Sequence, residues 1–180
     1  DQMQLSSPIS AVHPGDSGQS LPEYLLEGND TISLNKGIFI DKSRRLHPKL
    51  RQFVSENFYD ERLKNFDFTE KRKIIFSNKK DSLPENGIVM IDANHKEVCR
   101  QKSEEEGTLV KDFYNRLLGS TFLDEKNNKK IMNEEDILVV APYNVQVNYL
   151  KSILPKDAKV GTIDKFQGQQ APATIISMTT

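Results

Sequence analysis

Residues 137–146, ILVVAPYNVQ, decide the fold class of this chain. The run Ile137–Ala141 is continuously apolar, which is typical of a strand covered on both faces of a sheet. After Asn144, apolar residues recur at helical spacing, and Pro155 marks the end of this pattern. The apolar residues of this predicted helix are Val147, Leu150, Ile153 and Leu154. The stretch therefore predicts a buried strand followed directly by a helix.

The same alternation of strand and helix patterns extends over the rest of the chain. Short apolar runs predict further strands at Gly37–Ile40, Ile74–Phe76, Ile88–Ile91, Val160–Ile163 and Thr174–Met178. Helical spacing predicts one helix through Leu50, Phe53, Val54 and Phe58, and another through Leu109, Val110, Phe113, Leu117 and Leu118. Ser103 and Glu106 have the spacing of a capping box before the second helix, and Gly119 follows it. This order indicates an α/β domain with a mainly parallel sheet flanked by helices.

The composition of the 180 residues is that of a globular domain, with 36% hydrophobic and 28% charged residues. No apolar run approaches the roughly 18 residues that a membrane span needs. Cys99 is the single cysteine, which excludes a disulfide scaffold and favours a reducing, cytoplasmic setting. Because the chain begins at Asp1 and not at Met, we expect it to be a fragment.

Charge is distributed unevenly along the chain, although the net charge is only −1. Residues 1–35 contain no Lys or Arg, whereas residues 41–80 hold twelve of the 25 basic residues. The net charge excludes a uniformly basic coat for nucleic acid. The basic stretch is typical either of an anion site or of a solvated helix face, and composition leaves both open. The first 22 residues are rich in Ser, Gly and Pro, which predicts a long loop.

Four polar clusters lie beside the predicted elements, where α/β proteins bind their ligands. They are Asp1–Leu5, Ser43–Pro48, Ala141–Gln146 and Gly161–Gln170. Each cluster alone has an ordinary structural explanation: Arg45 can start a helix, Asn144 can cap one, and Gly168 can form a turn. The three histidines, His13, His47 and His95, are too scattered in sequence to predict a metal site.

In their order and content, the four clusters resemble the later motifs of superfamily 1 helicases. Asp1–Leu5 resembles GDxxQL, Ser43–Pro48 resembles YRMHP, Ala141–Gln146 resembles PYxxQ, and Thr162–Gln170 resembles TVDxFQGxE. The branch most similar contains the RNA-surveillance and Okazaki-fragment helicases. Residues 13–18 and Leu21–Leu26 also resemble its members that carry a RecB-like nuclease. The resemblance implies the second RecA-like domain of a P-loop NTPase-type motor, lacking the phosphate loop, with 1–35 as an interdomain segment and 36–180 as an incomplete domain.

The resemblance also implies a role for particular residues at bound ATP. The phosphate loop and the Mg²⁺ site would belong to a first RecA-like domain, since no GxxxxGK[ST] segment occurs in the 180 residues. Arg45 matches the arginine finger and Gln4 the glutamine that senses the γ-phosphate. The implied nucleotide contacts are Asp1, Gln4, Arg45, Gly168 and Gln170. Gln170 replaces the Glu of the family motif, and Arg44 replaces its Tyr.

Single-stranded nucleic acid is the second implied ligand, with DNA favoured over RNA by the subgroup that the chain resembles. The implied contact residues are Thr162, Gln167, Asn144, Gln146 and Arg44. Hydroxyl, amide and helix N-terminal groups of this kind bind phosphates with little regard to base sequence. Two other interpretations remain open: a RecA-like binding module without ATP turnover, and an unrelated doubly wound α/β domain.

Overall fold

The structure, a computed structural model, describes residues 14–78, 83–95 and 100–179. The chain divides into two compact units at the Glu70–Lys71 bond, and we name them the N-terminal unit and the C-terminal unit. In the N-terminal unit, the Thr31 hydroxyl donates to Asp60, and Arg62 donates to Thr31 and to the carbonyl of Ile32. Residues on both sides of position 35 are thus tied together in one unit. The functional division into 1–35 and 36–180 stays a prediction.

The N-terminal unit contains two helices and one short pair of strands. Helix α1, Leu21–Leu26, begins at a capping box formed by Ser20 and Glu23. Strands β1, Lys42–Ser43, and β2, Lys64–Asn65, pair in parallel. Helix α2, Pro48–Phe58, lies between them in sequence and confirms the first predicted helix.

The predicted strand Gly37–Ile40 is wrong for this structure, because the strand pairing of the N-terminal unit begins only at Lys42. Ile38 and Ile40 are 91% and 81% exposed. Phe39 alone of the run has aromatic and cationic neighbours, with Arg62 4.7 Å from its ring centre and Tyr59 beside it. An apolar run forms a strand only when a neighbouring strand accepts its backbone groups.

The C-terminal unit is built on a parallel sheet of order β7-β6-β8. Its strands are β6, Ile137–Val140; β7, Lys159–Gly161; and β8, Ala173–Ile176. Helix α3, Glu104–Leu117, and helix α4, Asn144–Ile153, pack with one face of this sheet. On the other face, Leu138 and Val140 pack against Phe166 of helix α5, Ile163–Phe166. The α/β architecture with a parallel, helix-flanked sheet is therefore confirmed.

A separate antiparallel sheet of order β3-β4-β5 completes the C-terminal unit. Its strands are β3, Lys73–Ile75; β4, Thr121–Leu123; and β5, Lys129–Ile131. The predicted strand Ile88–Ile91 is wrong, since these four residues join no β-ladder and Met90 is 96% exposed. Over the described ranges, no helix is long and apolar enough to cross a bilayer.

The carboxyl ends of the three parallel strands lie at one edge of the sheet, because β6 pairs in register with both neighbours. We name this edge the carboxyl edge, and three segments of the chain leave it. After β6 the chain turns into α4, after β7 it turns into α5, and after β8 it continues through Ser177–Thr179. Helix α4 begins at Asn144, and its N-cap is Tyr143. The helix therefore begins one residue earlier than it would if Asn144 were the cap.

Candidate functional site

The loop 43–47 of the N-terminal unit is held at both ends by hydrogen bonds. The Ser43 hydroxyl accepts from the backbone N–H of Arg45 and of Leu46, at 3.4 and 3.2 Å. The Asn65 amide donates to the Leu46 carbonyl at 2.7 Å and accepts from Arg51 Nε at 2.7 Å. These bonds fix the backbone from which Arg44 and Arg45 project.

Arg44 and Arg45 are both exposed on this loop, as is Lys42 before it. The Arg44 guanidinium lies 4.6 Å from the centre of the Phe66 ring, and Lys42 Nζ lies 5.4 Å from it. Phe66 stacks on Phe68 with ring centres 5.5 Å apart. Guanidinium groups bind phosphate oxygens in a bidentate manner, so exposed cations on a braced loop are a donor set that suits an anion such as phosphate.

His47 caps helix α2 next to the two arginines. Its Nδ1 accepts from the backbone N–H of Lys49 at 3.2 Å, and its carbonyl accepts from Leu50 and Arg51. The ring is buried. Burial lowers the pKa of His47, as does the charge of Lys49, while Glu70 opposes both. The neutral ring therefore acts as a hydrogen-bond acceptor that fixes the start of α2.

Of the candidate residues in the C-terminal unit, Asn144 and Thr162 follow β6 and β7 at the carboxyl edge, whereas Gln167, Gly168 and Gln170 lie between α5 and β8. Asn144 is exposed at the first position of α4, and Thr162 is half-buried as the N-cap of α5. Gln167 and Gln170 are exposed beyond α5. Gly168 has φ +81°, and a Cβ atom there would meet nothing within 4 Å. Its positive φ accounts for the glycine, and the space beside it leaves room for a ligand.

Gln146 does not lie where the resemblance implies. Its side chain is fully buried, and its Oε1 accepts from the Ser103 backbone N–H at 3.0 Å. Its Nε2 donates to the Ser103 carbonyl at 3.1 Å and to the Ser177 hydroxyl at 2.9 Å. With its amide groups engaged internally, direct contact with nucleic acid is not supported for Gln146. Its role in this structure is to join α4 to the start of α3.

Ser103 and Glu106 form one half of the predicted capping box. The Ser103 hydroxyl accepts from the Glu106 backbone N–H at 3.1 Å, which caps α3. The Glu106 side chain accepts instead from the Ser177 hydroxyl and from the Thr179 backbone N–H. Sequence reasoning missed Glu106, Ser177 and Thr179 as members of one buried network. The capping-box spacing of Ser103 and Glu106 was the signal in the sequence, but it predicts that the Glu106 side chain bonds to the backbone of Ser103.

The remaining candidates divide between the units or lie outside the described residues. Arg44 and Arg45 belong to the N-terminal unit, while Thr162, Gly168 and Gln170 belong to the C-terminal unit. Asp1 and Gln4 lie outside the described residues. Within the ranges that the structure describes, no group of three or more His, Cys, Asp or Glu side chains could hold a metal ion.

The family follows from comparison with known proteins. A model described as an AAA domain matches residues 18–180, and the chain therefore belongs to the AAA domain family. The chain is similar to the DNA polymerase alpha-associated DNA helicase A of Schizosaccharomyces pombe, with 26% identity over 99% of this chain and 27% of that protein. Its identity to the Saccharomyces cerevisiae protein of the same name is 25%, over 78% of this chain and 22% of that protein. The chain thus spans about a quarter of the length of these relatives.

Proposed function

We propose that this chain is part of the second motor domain of an ATP-dependent DNA helicase or translocase. The observation that carries the proposal is the exposed Arg45 on a loop braced by Ser43 and Asn65, in a chain of the AAA domain family. The similarity to two DNA helicases supports the same function. The branch with a fused RecB-like nuclease and the cytoplasmic location belong to this proposal as well.

Arg45 acts in the proposed mechanism as an arginine finger. ATP with Mg²⁺, held mainly by a first RecA-like domain, supplies the phosphoryl group that is transferred to water. Negative charge on the equatorial oxygens of that group is stabilised by a guanidinium that is already in position. The hydrogen bonds of Ser43 and Asn65 hold the backbone of this loop before nucleotide arrives. Gln4, Asp1, Gly168 and Gln170 are the further proposed nucleotide contacts.

The carboxyl edge is the proposed site for single-stranded nucleic acid. Asn144 is exposed there, Gln167 is exposed beyond α5, and the Thr162 side chain makes no capping bond to α5. Hydroxyl and amide groups at helix starts can hold successive phosphates without reading the bases. Arg44 is proposed as a cationic contact from the N-terminal unit. We propose single-stranded DNA as the strand, with RNA as the alternative that a competition assay would distinguish.

The test is ATP hydrolysis by the full-length protein in the presence of a single-stranded thymidine oligonucleotide. Arg45→Ala should lower kcat by roughly 10³-fold or more, because an arginine finger contributes 10³ to 10⁵ in rate. Lys49→Ala is the matched control, since it removes an exposed cation from the first turn of α2 and leaves the hydrogen bonds of Ser43 and Asn65 in place. An Arg45→Ala enzyme as active as the Lys49→Ala enzyme would contradict the assigned role.

A binding module without ATP turnover is the second candidate function. The observation that favours it is Gln170, exposed where the resembled motif has a Glu that would accept from ribose. An amide keeps one acceptor and loses the charge. Oligonucleotide binding that is unaffected by ATP, in a full-length protein that hydrolyses none, would favour this candidate over the motor.

A further inference from the structure

Glu106 is the hub of a buried hydrogen-bond network in the C-terminal unit. Its carboxylate accepts from the Ser177 hydroxyl and, at 2.8 Å, from the Thr179 backbone N–H. His95 Nε2 lies 3.3 Å from the same carboxylate, and the Glu106 side chain is 12% exposed. A carboxylate oxygen accepts hydrogen bonds, and the Ser177 hydroxyl and the Thr179 N–H donate to this one. The first turn of α3 is thereby joined to the segment that follows β8.

The segment held by Glu106 is the exit of the chain from the carboxyl edge. Ser177 and Thr179 are both buried, and the Ser177 N–H donates to the Val140 carbonyl at the end of β6. Thr179 has φ +56°, a left-handed conformation that a β-branched residue rarely adopts. Such a conformation persists only where its surroundings impose it. The hydrogen bond from Thr179 to Glu106 is one contact that does so.

The same network reaches the loop after β6 through Gln146. Its Nε2 donates to the Ser177 hydroxyl, which in turn donates to Glu106. Gln146 is the third residue of α4, whose first residue is the exposed Asn144. A continuous path of hydrogen bonds therefore connects the first turn of α4, the exit of β8 and the first turn of α3.

We propose that Glu106 is a positioning residue for the loops that bind single-stranded nucleic acid at the carboxyl edge. It holds the exit of β8 directly and the first turn of α4 through Ser177 and Gln146. Both segments are then fixed before nucleic acid binds, so binding does not have to order them. This inference rests on the proposed function, because it takes single-stranded nucleic acid as the ligand of that edge.

The test is a titration of the full-length protein with a single-stranded thymidine oligonucleotide, read by ATP hydrolysis. Glu106→Ala should raise the half-saturating oligonucleotide concentration about tenfold, with a smaller change in the rate at saturation. Glu106→Gln keeps an acceptor for Thr179 and should recover part of the loss. Glu104→Ala is the matched control, because Glu104 lies in the same helical turn, is 72% exposed and pairs with Lys102. Its half-saturating concentration should equal that of the wild type.

Ser177→Ala provides a second variant in case Glu106→Ala does not fold. It breaks the link between Gln146 and Glu106, leaves every charge in place, and should shift the half-saturating concentration in the same direction. Suppose that the hydrolysis of the wild type responds to the oligonucleotide. If the folded Ser177→Ala and Glu106→Gln proteins then have the half-saturating concentration of the wild type, this inference is overturned and the proposed function is not. A wild type whose hydrolysis does not respond to the oligonucleotide overturns the proposed function, and this inference with it.

Discussion

The two units of the chain are stabilised in different ways. Within residues 14–70 most of the buried residues are polar. They are His47, Ser55 and Thr69, and Leu26 is the one buried hydrophobic residue of this range. In the C-terminal unit, an apolar cluster of α3, α4 and the parallel sheet is buried, and Leu150 lies at its centre with no exposed surface. The N-terminal unit therefore depends on hydrogen bonds and cation–π contacts, whereas the C-terminal unit depends on apolar packing. The candidate arginine finger lies on the unit with the weaker core.

Removing core volume should give the largest difference between the two units. Leu150→Ala should lower the free energy of unfolding of the C-terminal unit by about 2–5 kcal/mol, since it leaves a cavity in a packed core. Leu26→Ala, in a helix of six residues, should cost the N-terminal unit about 1 kcal/mol. Urea titrations followed by amide exchange in each unit would measure both losses. Equal losses would show that the two units depend on apolar packing to the same extent.

Two amide side chains provide the next comparison, because each unit has one as a hydrogen-bond hub. Gln146→Ala should destabilise the C-terminal unit by about 2 kcal/mol, since it leaves the backbone N–H of Ser103 buried without a partner and leaves the Ser103 carbonyl with only the Gly107 N–H as a donor. Asn65→Ala should cost about 1 kcal/mol, because Asn65 is half-buried and water can replace it at Leu46 and Arg51. Thermal unfolding would measure both values.

Asn148→Ala is the control for the Gln146 variant, since Asn148 is an exposed amide on the same helix. Its melting temperature should stay close to that of the wild type. A Gln146→Ala protein as stable as this control would show that the buried amide is dispensable, and the structural role assigned to it would be wrong.

The contrast between the units also explains which elements the sequence predicts. The apolar pattern predicted α2, α3, α4 and the strands of the parallel sheet, and in α3, α4 and β6 the apolar residues of the pattern are buried or half-buried. It failed at Gly37–Ile40 and Ile88–Ile91, where the runs are apolar but no neighbouring strand pairs with them. An apolar run indicates that a segment can be buried. A strand also requires a neighbouring strand to pair with, and the apolar run does not specify that neighbour.

The candidate site was predictable only in part, for a similar reason. Motif order points to Arg45, Asn144, Thr162 and Gly168, and the structure places them on loops or at helix starts. Gln146 belongs to the same motif but is buried, because a motif does not reveal which of its polar residues face inward. The bonds from Glu106 to Ser177 and Thr179 span more than 70 residues, and no local spacing encodes them.

A smaller, pH-dependent effect should distinguish the N-terminal unit. Because burial lowers the pKa of His47, the unfolded chain binds a proton before the folded one does as the pH falls below about 6.5. Protonation also removes the Nδ1 acceptor that caps α2, so the start of that helix should lose about 1 kcal/mol in acid. Hydrogen exchange at the Lys49 amide, compared between pH 7.5 and pH 5.5 after correction for intrinsic rates, would measure this.

His47→Asn is the matched variant, because Asn caps helices well and does not titrate in this range. Its corrected exchange at Lys49 should be the same at both pH values. A pH dependence that survives in His47→Asn would assign the effect to another group and contradict the role given to the His47 ring.

The smallest effect concerns a polar group inside the apolar core of the C-terminal unit. Tyr114 is fully buried, and its hydroxyl has no hydrogen-bond partner among the residues that the structure describes. Burial raises its pKa, and the charges of Glu134 and Asp157 raise it further. Tyr114→Phe removes this unpaired hydroxyl and should leave stability unchanged or raise it by up to about 1 kcal/mol at pH 7.

The advantage of Tyr114→Phe should grow above pH 10, because the unfolded wild-type chain loses its phenolic proton before the folded one does and the wild type is destabilised. Urea unfolding at pH 7 and at pH 10.5 would measure both effects. Tyr149→Phe is the control, since Tyr149 is half-buried next to Lys102 and outside the core cluster. A Tyr114→Phe protein that is clearly less stable than the wild type at pH 7 would mean that the hydroxyl has a partner, such as a buried water. The core would then be more polar than its apolar side chains indicate, and the contrast with the N-terminal unit correspondingly smaller.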